Sequence, residues 1–168
     1  MELKQLALKI ASQYIGDFIP DNEHDDAAWL EALMKLGNPA HWIAGWAYCI
    51  SAALSCFWQA AQQLNVSFPF IASPSTQQFY NDNPTLQTQM PSIGAIVIFE
   101  DGKTAQGHAE IIESIQPESG TPVILNTIGF NTSANGHASA CARKVRVIAQ
   151  LQNPDGFHIR GYIDCSLI

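Results

Sequence analysis

Hydrophobic positions in the first third of the chain recur at steps of three and four. Over residues 1–15, MELKQLALKIASQYI, the side chains of Leu3, Leu6, Ala7, Ile10 and Tyr14 fall on one helical face with charges between them. The polar stretch IPDNEHDD at 19–26 interrupts the pattern. Asp25 or Asp26 can cap a second helix, AAWLEALMKL, which Gly37 ends. A third helix follows NPAHWIAGWAY, and in it Cys49, Ala53, Cys56, Ala60 and Leu64 share a face whose small residues permit close packing on a sheet. Cys49 therefore sits in the first turn. Residues 65–93, rich in Pro, Ser, Asn and Gln, read as one long irregular segment with room for a short helix.

From Ile93 the period shortens to that of strands. GAIVIFE, a turn EDGKTAQ, GHAEIIESI, a second turn QPESGTP and VILNTIG predict three consecutive strands, and ARKVRVI at 142–148 and FHIRGYI at 157–163 add two more. Helices first and strands afterwards predict an α+β fold, with N-terminal helices packed on an antiparallel sheet of five to six strands. No repeat or linker divides residues 1–168, which read as a single domain.

Composition narrows the function classes. The chain is 47% hydrophobic and 14% charged, which suits a buried core, and no apolar run reaches the roughly 18 residues of a membrane span. A formal charge of −7, with only the short RKVR at 143–146 as a basic cluster, leaves no footprint for nucleic acid. The charges spaced through residues 1–15 are unlike the apolar centre of an export signal, so neither a signal peptide nor a membrane anchor is expected. The four cysteines, Cys49, Cys56, Cys141 and Cys165, form no CxxC pair; neither a zinc site nor a stapled scaffold is indicated, and a Cys141–Cys165 bridge is left open.

A thiol in the first turn of a helix meets unpaired backbone N–H groups and the positive end of the helix dipole, both of which favour the nucleophilic thiolate. The competing explanation is that a cysteine is a small core residue, and Cys56 is read that way. Cys49 stands out because the sheet offers a base. His108 opens a strand in GHAEII, where it alternates with Glu110 and Ile112 while Ala109 and Ile111 point to the other face. A thiolate on a helix start facing a strand imidazole is what Cys–His acyl transfer requires. A third polar group must orient the ring, and Asn126, Asn131 and Glu110 are the candidates. His24 and His41 fall in loops, His137 in the flexible-looking turn NTSANGHASA, and His158 beside exposed positions of the last strand. Trp46 and Tyr48, flanking the cysteine, are candidates for a groove wall or for core packing.

Four blocks in order, GWAYCISAALS, PSIGAIVIF, GHAEIIESI and ILNTIGFNTS, resemble those of the CHAP amidases and endopeptidases, relatives of the NlpC-type peptidoglycan hydrolases. The resemblance runs from about Gly37 to Ile148 and implies a papain-like fold. On it, Cys49 matches the nucleophile, His108 the base and Asn131 the orienting amide. Two positions depart from the family pattern: Gly129 stands where many members carry an orienting Glu, and Glu110 where the family has a small or apolar residue.

The activity so implied is hydrolysis of an amide in peptidoglycan through a thioester, without a metal or other cofactor. The enzyme would be an N-acetylmuramoyl-L-alanine amidase or a stem-peptide or cross-bridge endopeptidase. Its setting would be the periplasm or cell wall, reached from the cytoplasm as a type VI secretion effector or a phage endolysin. Peptidoglycan is the expected partner, joined by an immunity protein if the chain is an effector. Two other classes share these residues: a non-catalytic peptidoglycan-binding or tail-structural module, and a cysteine amidase acting on another amide.

Overall fold

Burial of the apolar stripes sets the helical layer. In the computed structural model, which describes residues 1–20, 27–102, 104, 106–118 and 121–167, four α-helices precede a six-stranded antiparallel sheet. Helix α1, Leu3–Ser12, buries Ala7, Ile10 and Ala11 and leans Leu3 and Leu6 on the same core, joined by Tyr14 from the turn that follows. Helix α2, Ala28–Leu36, buries Leu30, Leu33 and Met34 at the expected spacing and closes at Gly37. The expected caps Asp25 and Asp26 lie outside the described residues.

Helix α3, Cys49–Leu64, is the central element, packed between α1 and α2 on one side and the sheet on the other. Its first nine residues, from Cys49 to Phe57, are all buried, so an element covered on every side carries small residues on several faces. No helix among the described residues is long and apolar enough to cross a membrane.

The strands are β1 (Gln87–Thr88), β2 (Ile96–Asp101), β3 (Gly107–Glu118), β4 (Thr121–Ala134), β5 (His137–Val147) and β6 (Phe157–Ile163). Their order across the sheet is β1-β6-β2-β3-β4-β5, and every neighbouring pair is antiparallel. The helix-facing side contributes Ile96, Ile98, Ala109, Ile111, Ile128, Phe130 and Ile163 to the main core. The other side forms a second cluster of Ala95, Val97, Phe99, Ile112, Leu125 and Tyr162, closed by Ile115, Ile148, Leu151 and Ile159. Strand β2 is covered on both faces, which is why IVIF is an unbroken apolar run. Each fully buried Ile or Phe there contributes about 2 kcal/mol of transfer free energy.

Three readings are sharpened or revised. The segment 65–93 holds the short helix it had room for, α4, Thr76–Asp82, and in addition a 3₁₀ turn at Pro84–Leu86 and the edge strand β1. NTSANGHASA is not a loose turn but the tip of the β4–β5 hairpin, closed by Asn135 and Gly136 at φ 52° and 83°. Positive φ at both central residues is the type I′ geometry that matches strand twist, and Asn-Gly is its usual sequence. His137 is half-buried there and stacks on Phe18 with ring centroids 3.7 Å apart. Finally, all four cysteines are free thiols, so Cys141 and Cys165 are not bridged. Cys141 belongs to the main core, while Cys165 lies near Asp164 and Lys4.

Candidate active site

The thiol of Cys49, the first residue of α3, lies over the start of β3 and is only 4% exposed. It opens on a cleft of about 410 Å³ lined by Ala47, Pro74, Ser75, Thr76, Gln106 and Gly107, none of which carries a charge. Ala47 forms the wall beside the cysteine. Tyr48 is fully buried against Trp29, and Trp46 is 47% exposed, so Tyr48 is a core residue rather than part of the groove.

His108, the second residue of β3, stands between the thiol and Glu110. Its Nε2 is 3.2 Å from Glu110 Oε1, which leaves Nδ1 for Cys49. The ring also stacks on Phe99, its cross-strand partner, at 6.0 Å between centroids. His108 and Glu110 project from the same face of β3, two positions apart, because strand side chains alternate.

Glu110 is wholly buried and fully bonded. Arg146 Nε donates to Oε2 at 2.9 Å and Arg146 Nη2 donates to Oε1, making a two-pronged pair. Thr127 Oγ1 donates to Oε2 at 2.7 Å. The guanidinium lies 5.2 Å from the Phe99 ring centre and 5.9 Å from that of Phe157, which shields the pair from water. An unpaired carboxylate at this depth would cost several kcal/mol; the two prongs and the threonine hydroxyl offset that cost. Burial alone would raise the Glu110 pKa, but Arg146 first and His108 after it bring it down to about 2.

The same competition shapes the Cys49–His108 pair. Burial works to raise the Cys49 pKa, yet the His108 hydrogen bond and charge, helped by the Thr76 hydroxyl and the Ala109 backbone N–H, leave it below the ordinary thiol value. Burial works to lower the His108 pKa, and Cys49 and Glu110 together raise it to about 9. The imidazole thus favours ionisation of the thiol, the thiol and Glu110 favour protonation of the imidazole, and the Glu110 carboxylate stands behind the ring. By contrast, burial pushes the Cys56 thiol well up, as befits an inert core cysteine.

Of the three candidates for orienting His108, the structure brings Glu110 to it. Asn131, in a bulge at φ 54°, accepts a 2.9 Å hydrogen bond on Oδ1 from Ser139 Oγ, which is itself 2.9 Å from the Tyr48 hydroxyl. Asn126 donates to Ser114 Oγ at 2.9 Å, further along β3. The Asn131–Ser139–Tyr48 chain reaches the residue before Cys49, so Asn131 bonds towards the start of α3 rather than to the imidazole.

Arg146, Thr127 and Thr76 escaped sequence analysis. Arg146 sat in the short basic cluster RKVR, which was weighed only as a footprint for nucleic acid, and its signal was indirect: a buried Glu on an apolar strand demands a cation somewhere. Among the described residues no group of three or more His, Cys, Asp or Glu side chains is placed to hold a metal ion. Comparisons with family models, with curated proteins and with solved structures found no match for this chain.

Proposed function

We propose that the protein is a papain-like cysteine amidase or endopeptidase acting on peptidoglycan, with Cys49 as nucleophile, His108 as base and acid, and Glu110 as the group that orients His108. The observation that carries this is the Cys49–His108–Glu110 line, with the thiol facing an open cleft and the carboxylate closed off behind the ring. Cys49 Sγ attacks the amide carbonyl carbon, and the imidazolium gives its proton to the departing amine, leaving a thioester. His108 then takes a proton from water, whose oxygen attacks the thioester carbon; the acid product leaves and the thiolate returns. Glu110 holds the ring and stabilises its charge without itself taking the proton.

The uncharged cleft suits an amide flanked by small neutral groups, as in the alanine-containing stems of peptidoglycan. A role as an antibacterial effector with its own immunity protein, or as a phage lysin, belongs to the same proposal. The non-catalytic alternative drew on Gly129 in place of an orienting Glu, and Glu110 removes that motive by supplying a carboxylate from the neighbouring strand.

The test is digestion of purified Gram-negative sacculi by the wild-type protein and Cys49→Ala, with released muropeptides identified by mass spectrometry. Cysteine-dependent fragments are expected, and their masses name the bond. No release by folded, reduced wild-type protein would overturn the peptidoglycan assignment.

A further inference from the structure

We infer that Thr76 is a catalytic residue, its hydroxyl serving with the Cys49 backbone N–H as the oxyanion-binding pair; this rests on the proposed acyl transfer at Cys49. Thr76 is 7% exposed, lines the same cleft as the thiol, and places Oγ1 3.6 Å from Cys49 Sγ. Among the described residues that sulfur is the hydroxyl's hydrogen-bond partner. A threonine hydroxyl has a single O–H donor, and with only a weak sulfur acceptor beside it that donor is available to a stronger acceptor brought into the cleft.

The chemistry supplies the better acceptor. When Cys49 Sγ bonds to the carbonyl carbon, sulfur loses its negative charge and the carbonyl oxygen gains it. That oxygen is one carbon removed from the sulfur, so a donor set beside Sγ can transfer its O–H bond from the sulfur to the oxyanion when the carbonyl oxygen lies on the Thr76 side of the thiol. The Cys49 N–H, at the first position of α3, has no acceptor within its own helix and is the second donor. One hydroxyl thus stabilises the thiolate before attack and the oxyanion after it, with no movement of the backbone.

Thr76 is held firmly enough for this. Ser75 Oγ caps α4 by accepting from the Gln78 N–H at 3.3 Å. Gln77 Nε2 donates to the Phe99 carbonyl at 2.9 Å, pinning α4 to the edge of β2 beside the cleft. Arg160 bridges Gln77 and Asn81, and Asn83 ties the end of α4 to both backbone groups of Ile71.

Two reagents separate this role from a merely structural one. The p-nitrophenyl ester of acetic acid acylates a thiolate through an oxyanion; iodoacetamide alkylates it at a saturated carbon and forms none. Both rates are measured for wild type, Thr76→Val, Thr76→Ala and Thr76→Ser at a pH where the thiol is fully ionised, with circular dichroism melts to establish folding. In Thr76→Val and Thr76→Ala, acylation is expected to fall by about 100-fold while alkylation stays within about three-fold of wild type; Thr76→Ser keeps both. Parallel loss of the two rates, or no loss of acylation in a folded variant, overturns the assignment. If wild-type protein shows no Cys49-dependent acylation, the acyl-transfer proposal fails and takes this one with it. If acylation depends on Thr76 but sacculi stay intact, the oxyanion role stands and only the peptidoglycan substrate is wrong.

Discussion

Glu110 on β3 and Gly129 on β4 stand directly opposite each other, and the Glu110 carboxylate occupies the space that a side chain on residue 129 would fill. A Cβ added at Gly129 would come within 2.9 Å of Glu110 Oε1. The two positions at which the sequence departs from the pattern it resembles are therefore paired positions: the acidic group stands on β3, and the glycine opposite it on β4 makes room for it. A carboxylate can reach His108 from either strand because directly opposed side chains in an antiparallel pair share a face.

That pairing is testable by reversing it. Glu110→Ala is expected to lower amide or ester turnover by about 100-fold or more, as loss of an orienting carboxylate does in Cys–His and Ser–His enzymes. The double variant Glu110→Ala with Gly129→Glu should recover at least about ten-fold of that loss, a coupling expected only for residues in contact. Turnover by the double variant no better than by Glu110→Ala would show that the opposing position cannot host the carboxylate. Asn131→Ala, which releases Ser139 and Tyr48 instead of the imidazole, should lower the melting temperature while leaving the pH profile of turnover in place.

Removal of the proposed nucleophile should separate chemistry from folding. Cys49→Ala takes away one sulfur atom in the first turn of a helix whose packing is otherwise unchanged, so stability should shift by no more than about 1 kcal/mol. Hydrolysis should drop to background. A thermal melt beside an activity assay decides it, and activity retained by the folded variant would exclude the mechanism.

The pH dependence follows from the paired shifts. Because the Cys49 pKa is lowered, iodoacetamide should alkylate the protein at a lower pH than it does a free thiol, and the rate should level off once the thiolate has formed. Because the His108 pKa is raised to about 9, the proton needed by the leaving amine persists until the pH passes that value, and amide turnover should then decline. His108→Ala removes the hydrogen bond and the charge together and leaves only Thr76 and the Ala109 N–H to oppose burial, so the alkylation profile should move alkaline. An unchanged profile would mean that the imidazole does not set the thiol's ionisation.

Arg146→Met tests the support behind the carboxylate. Breaking a buried two-pronged pair by removing one partner costs about 3 kcal/mol, even though methionine fills much of the same volume. The Glu110 carboxyl, held at about 2, contributes stability that is fully present above its unfolded pKa and is lost as the pH falls through the folded value. The difference in melting temperature between wild type and Arg146→Met should therefore be large near pH 7 and narrow towards pH 2–3, where the carboxyl takes up its proton. A gap independent of pH would assign Arg146 to packing on Phe99 and Phe157 rather than to the charge of Glu110.

Local pattern carried much of the molecule. The apolar stripes at 3–14 and 28–36, the start of α3 at Cys49, the alternation that places His108 and Glu110 on one face, and the last strand at 157–163 are all set by residues within a few positions of one another. The Asn135–Gly136 turn was equally local, and a hairpin was legible there beneath a polar composition. What tertiary structure alone decided is which distant groups meet. Glu110 and Arg146 are joined because β4 lies between β3 and β5 in the sheet order, and Thr76 reaches Cys49 because α4 is tied to the edge of β2. The choice among Glu110, Asn126 and Asn131 was of the same kind. Strand periodicity states which face a side chain takes; strand order, register and the bulge at Asn131 determine its neighbours there, and those are settled by packing the whole sheet against α3.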